Sequence, residues 1–244
     1  MFVLYIIAIL LSNRKYRKWP TYRTVYWMMG VFAAIVAVAG PLAVKAHVYF
    51  TAHMLAHLFL GMLAPLLLAL GAPVTLFLRT INVKRARRIT KLLKRKPIRI
   101  VTDPIVASTL NIGGLWLLYT TSLYTVMHEH ILIHILVHVH LFLAGYLFTI
   151  SMIYIDPAAH RTSYLYRSVV FILALAGHGI LSKYIYVNPP EGVTEEQGEI
   201  GAMIMYYGGD LVDIIIIFML CLQWYRETRP RFSLEINNFP TKNI

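Results

Sequence analysis

Residues 51–78 read TAHMLAHLFLGMLAPLLLALGAPVTLFL and hold no charged side chain, whereas residues 79–99, RTINVKRARRITKLLKRKPIR, hold ten lysines and arginines. The hydrocarbon core of a bilayer needs about 20 mostly apolar residues per helix. An apolar run of that length that ends in a dense basic block reads as a transmembrane helix entering a cytoplasmic loop. The pattern recurs along the chain, with apolar spans at 1–13, 24–44, 51–78, 104–127, 131–155, 166–188 and 200–225. Composition agrees. Of the 244 residues, 58% are apolar and 14% charged, against about 45–50% and about 25% in soluble domains. That excess excludes a soluble enzyme, and disorder is excluded because it needs low hydrophobicity. Cys221 is the one cysteine, so neither a disulfide framework nor a cysteine-based metal site can form within one chain.

The formal charge of +12 is not a nucleic-acid signature, because the basic residues are confined to short blocks between spans. Loops after spans 1, 3, 5 and 7, with Arg167 at the start of span 6, carry 21 of the 23 lysines and arginines, and the other side carries only Lys45 and Lys183, the latter near the far end of span 6. By the positive-inside rule the odd-numbered loops are cytoplasmic. The expectation is an all-α, polytopic membrane helix bundle of seven transmembrane helices, the first one short. Its amino end is outside and its carboxyl end cytoplasmic. Residues 1–244 then form a single integral-membrane domain, multi-pass in the cell membrane, with 226–244 as a polar cytoplasmic tail. In span 1 the positive charges follow the apolar stretch rather than precede it, unlike a signal peptide. It reads as a short anchor helix, or as the end of a span that starts upstream. The basic block 79–99 orients the chain and meets anionic lipid, at about 1 kcal/mol per charge near the surface. Asp103-Pro104 reads as a helix start. Asp156-Pro157 and Pro189-Pro190 close spans 5 and 6.

Histidines are concentrated on the other face. His47, His53, His57, His128, His130, His134, His138 and His140 all fall in the outer half of this topology, and only His160 falls in a cytoplasmic loop. His53 and His57 are four apart, which puts both imidazoles on one helix face. His130, His134 and His138 form a ladder within a stripe roughly 80° wide, while His128 and His140 point about 120° to either side. By depth, His57, His134, His138, His178 and Asp210 share one plane. Asp213 shares a face with Asp210. The candidate metal ligands are therefore His53, His57, His134, His138, His130, His178 and Asp210. Neutral imidazole suits copper, zinc, iron and nickel. Lone buried histidines are usually packing residues, but polar groups within lipid are rare and tend to be functional. The methionines, Met54, Met62, Met127, Met203 and Met205, read as ordinary core filler.

The order of these features resembles the CtaG family of cytochrome c oxidase assembly factors, known from the caa-type oxidase of Gram-positive bacteria. The resemblance runs from about Gly30 to Arg226. It rests on the run from Ala52 to Leu58, AHMLAHL, followed by that from Pro65 to Pro73, PLLLALGAP. Asp103-Pro104, the His130/His134/His138 ladder, Gly145-Tyr146-Leu147-Phe148, Glu196-Gln197-Gly198 and Gln223-Trp224 continue it. Span 1 is shorter than the family's usual first helix. The resemblance implies a plasma-membrane protein, not an enzyme, that is needed to make active oxidase and handles copper for it, with the oxidase subunits as partners. A rival reading is a haem-binding membrane redox protein with bis-histidine ligation. A metal-dependent hydrolase lacks an HExxH motif.

Overall fold

The computed structural model describes residues 2–158 and 160–229, so most of the expected tail at 226–244 lies outside the described residues. The regular structure of the described residues is all helical, with no strand among them. In chain order they are α1 (Phe2–Lys15), α2 (Thr21–Val38), α3 (Pro41–Ala46) and α4 (Phe50–Leu58), the last running through a π-turn (Phe59–Leu63) into α5 (Ala64–Leu70). The basic region follows as α6 (Pro73–Thr80), α7 (Val83–Leu93) and α8 (Lys96–Val101). Then come α9 (Pro104–Ser108), a second π-turn (Thr109–Gly113), α10 (Gly114–Thr120), α11 (Leu123–Glu129) and α12 (Ile131–Met152). The long α13 (Tyr164–Val187) and α14 (Glu195–Thr228) complete the set.

Five helices are long and apolar enough to cross a membrane: Thr21–Val38, Phe50–Leu70, Ile131–Met152, Tyr164–Val187 and Glu195–Thr228. A shorter apolar column runs unbroken over 104–120. The first expected span behaves differently. At 1.5 Å per residue α1 is about 21 Å long, short of the roughly 30 Å core. Its Tyr5 hydroxyl donates to the Gly71 carbonyl (2.9 Å) and accepts from Trp19 Nε1 (3.2 Å). Gly71 ends α5 beside the basic segment, so α1 is pinned at the basic end of the bundle.

Phe50–Leu70 is the central helix, being 61% buried where the other four are 17–39%. At its histidine end α4 packs on α14, α5 packs on α2, and α12 lies along the π-turn and α5. Phe50, Met54, Leu115, Leu181 and Met205 fill the core at the histidine end. Leu66, Phe148, Phe171, Val212 and Ile216 fill it at the basic end. The outer faces are apolar too: Ile135, Val139 and Leu143 of α12 are exposed, as are Val169, Leu173 and Ile180 of α13. Apolar exposure on this scale would aggregate a soluble protein; lipid tails cover it.

Polar residues at the basic end join the helices. Asp156, just past the end of α12, also caps α6: its carboxylate accepts from Val74 N (3.0 Å), Thr75 N (2.7 Å) and Thr75 Oγ1 (2.5 Å). The first amides of a helix have no partner of their own and favour an anion. α6 needs this help because the chain enters it through Ala72, buried and left-handed at φ 50°. Arg167, counted as a loop charge in the sequence, is 1% exposed. Its Nη1 donates to the Met152 carbonyl (2.6 Å) at the end of α12, and its guanidinium lies 4.2 and 4.3 Å from the Tyr154 and Tyr164 ring centroids. A cation at a helix carboxyl end, held between two rings, is stabilised by both the helix dipole and the π faces.

Without much hydrophobic force between helices in lipid, association depends on close packing over small residues. Gly145 of α12 lies so close to the central helix that a Cβ there would land on the Gly61 carbonyl. Gly145→Ala is therefore expected to force the two helices apart and to cost about 1–3 kcal/mol. Gly113→Ala, whose Cβ would meet only Thr109 Cγ2 at 3.9 Å, is expected to be neutral. Thermal denaturation of the two variants in the same detergent checks the contrast.

Candidate functional site

The start of α4 is fixed by α14. Gln197 Oε1 accepts from Phe50 N (2.7 Å), which satisfies one of the free amides at the start of α4. From that start, His53 and His57 fall one turn apart on the buried face, at 6% and 7% exposure. Both reach the same atom. His53 Nε2 lies 3.1 Å and His57 Nδ1 2.6 Å from the hydroxyl of Tyr119 on α10, itself buried. Phe50 and Tyr124 pack edge-on against this group.

Outward of that pair, four more imidazoles continue the array. His128 of α11, its Nδ1 held by the Tyr124 carbonyl (2.8 Å), has its ring centroid 5.9 Å from that of His53 and 6.2 Å from that of His47. His47 stacks on His134 at 4.9 Å, and His134 on His138 at 4.1 Å. His138 Nδ1 is held by the His134 carbonyl (2.9 Å). Burial is graded: His47 is exposed, His128, His134 and His138 are half-buried, and His53 and His57 are buried. His47, His53, His134 and His138 line one pocket of about 420 Å³ between α2, α3 and α12.

The expected ladder is altered by one break. The helix stops at Glu129 and restarts at Ile131, with His130 in extended backbone (φ −123°) between. His130 is exposed and His128, expected to point away, enters the array. His140 turns to the Leu110 carbonyl (3.1 Å) and rests on Gly114.

Deeper in the bundle lies a small chamber of about 10 Å³, with His57, Asn111, His178 and Asp213 in its wall. His178 lies against the α14 backbone because position 209 is glycine; a Cβ there would come within 2.5 Å of its Cε1. That accounts for Gly209; at Gly208 a Cβ would come within 2.5 Å of Leu58 Cδ2. Asp210 is half-buried, while Asp213, one turn on, is 3% exposed and joins the chamber.

A carboxylate and an array of imidazoles are donors for first-row transition metals. Among the described residues no three histidine, cysteine or carboxylate groups are already drawn together as a metal-ligand set. What exists is a row of donors at ring-contact spacing that leads from an exposed histidine to buried ones. Tyr119, Tyr124 and Asn111 went unnoticed in the sequence. Asn111 carried a signal, since an amide inside an apolar span is rare. The tyrosines carried none, because an aromatic in such a span normally reads as packing.

A family model described as cytochrome c oxidase caa3 assembly factor matches residues 3–227. Uncharacterized proteins of Mycobacterium leprae, Mycobacterium bovis and Mycobacterium tuberculosis are each 27% identical over 245 residues, which cover 91% of this chain and 37% of the relative. The chain thus spans a little over a third of the length of these relatives. No solved structure matches it. A match over 3–227, with the histidine pair and its central helix inside it, means that this chain belongs to the cytochrome c oxidase caa3 assembly factor family.

Proposed function

We propose that this chain is a non-enzymatic assembly factor of the cell membrane that takes up copper at its histidine end and passes it to cytochrome c oxidase subunits. The observation that carries the reading is the graded row of six imidazoles, His47, His128, His134, His138, His53 and His57, in a chain of this family. A carrier must bind its cargo without trapping it. Neutral imidazoles bind copper and zinc well, and a row of them lets one ligand replace another step by step. Thiolates would hold copper(I) harder; Cys221, the one cysteine, is exposed on α14 away from the histidines.

In this reading the histidine end faces outward and the basic end faces the cytoplasm, in keeping with the 21-to-2 division of basic residues. α7 then lies at the cytoplasmic surface. Its start is capped by Asn82, which accepts from Arg85 N (3.0 Å), and Lys84, Arg85, Arg87, Arg88 and Lys91 are exposed for anionic lipid headgroups.

Three outcomes are expected. A reporter fused after Trp224 should score as cytoplasmic and one in the 189–199 loop as external; the reverse at either position inverts the orientation. His53→Ala combined with His57→Ala should weaken copper binding by the purified protein at least about tenfold, measured by competition with a chelator, while the chain still inserts. Wild-type affinity in that variant would make the pair packing residues. Membranes of cells lacking this protein should contain oxidase subunits but little active oxidase, read by activity and visible spectrum, with added copper restoring part of it. Normal oxidase in the deletion strain overturns the assembly role. Normal oxidase in the histidine variant alone leaves a scaffold that does not need copper.

A further inference from the structure

We infer that the chain has a second, inner metal station: a single d-block cation held in the small inner chamber by His57, His178 and Asp213, with the Asn111 amide beside them. The inference deepens the copper reading and rests on it for its biological sense. The histidine pair of α4 does not serve one compartment. His53 lines the outer pocket and His57 the inner chamber, with the Tyr119 hydroxyl hydrogen-bonded to both histidines. The outer pocket already holds imidazoles without His57, so His57 is turned toward something else.

The inner chamber has the composition of a cation site. Asn111, His178 and Asp213 are 6%, 5% and 3% exposed. Asp213 Oδ1 is buried without a hydrogen-bond partner. No lysine or arginine lines the chamber, and among the described residues the one ion pair, Arg161–Glu227, lies elsewhere. A carboxylate inside a membrane span is costly unless it pairs, ligates or meets water. Two imidazoles, a carboxylate and an amide oxygen form a nitrogen–oxygen donor set for zinc, copper or iron. The space, about 10 Å³, is that of one small sphere.

The backbone around the chamber is built to adjust. Both π-turns of the bundle contribute to its wall, one through Gly61 and Met62 and the other through Asn111. Such turns insert an extra residue into a helix and recur at functional sites. The donors are not yet at bonding distance of one point, so the ion draws them in, and the π-turns supply the slack. The outer pocket receives the ion; the chamber holds it out of water.

The test uses the full chain in detergent with zinc ion alone as probe, since zinc does not change oxidation state. Bound zinc is counted by elemental analysis after equilibrium dialysis, with insertion and monodispersity checked for each variant. Asp213→Asn and, separately, His178→Ala should each lose roughly half of the bound zinc. His134→Ala with His138→Ala should lose the other share. X-ray absorption on that outer-pocket variant should show a mixed nitrogen and oxygen shell with histidine scattering, and it decides the matter even if Asp213→Asn does not fold. Wild-type zinc content in both inner variants overturns the proposal, the chamber then holding water only. An outer-pocket variant with no zinc also overturns it but leaves the outer copper reading standing. A wild-type chain that binds neither zinc nor copper sinks both.

Discussion

The close approach of α12 to the π-turn of the central helix, Gly145 against the Gly61 carbonyl, sets what every other element can do. It brings α12 near enough for His134 and His138 to share a pocket with His53, and it places Leu141 and Phe148 in the chamber wall. A side chain at position 145 would hold these groups apart by its own width. In lipid such contacts replace the hydrophobic force that water supplies to soluble helices. The bundle therefore depends on steric fit at its centre, while its outer faces are free to be uniformly apolar.

Much of this fold was legible in the sequence because a bilayer imposes one rule: apolar length. The spans at 51–78, 131–155, 166–188 and 200–225 correspond to α4–α6, α12, α13 and α14, with ends shifted by a few residues. Pattern could not show where such runs bend. Span 51–78 is broken at Gly71–Ala72, where the chain turns through a left-handed residue, and span 104–127 is interrupted after Thr120. Gly71–Ala72 carries no polar side chain, and Thr120, Thr121 and Ser122 are too few and too small to end an apolar run, so hydropathy is blind to both breaks. Charge counting had a similar limit. Arg167 sits at the expected end of its helix, but its partners are two tyrosine rings and a carbonyl.

The histidine end was half legible. Spacing put His53 and His57 on one face and His134 with His138, and both pairs exist as neighbours. The helical wheel failed at His130, because it assumes one continuous helix through the break between α11 and α12. That break removes His130 and admits His128. Depth reckoning put His178 level with Asp210, but the rotation of α14 puts Asp213 into the chamber. Rotation about a helix axis is set by neighbours such as Gly209 under His178, and neighbours are not visible in one chain read in order.

The Tyr119 hydroxyl carries one proton and is bonded to two neutral imidazoles, so it donates to one and accepts from the other. If it donates to His57 Nδ1, the proton of His57 sits on Nε2, and His53, donating through Nε2, keeps a lone pair on Nδ1. If it donates to His53 Nε2, the assignment reverses, and His57 keeps its lone pair on Nε2. In either arrangement only one of the two rings has a nitrogen free to coordinate. A single hydroxyl rotation with two tautomer changes thus transfers the capacity to ligate between His53, at the outer pocket, and His57, at the inner chamber. The two compartments are reciprocal in their hydrogen bonding before any ion arrives.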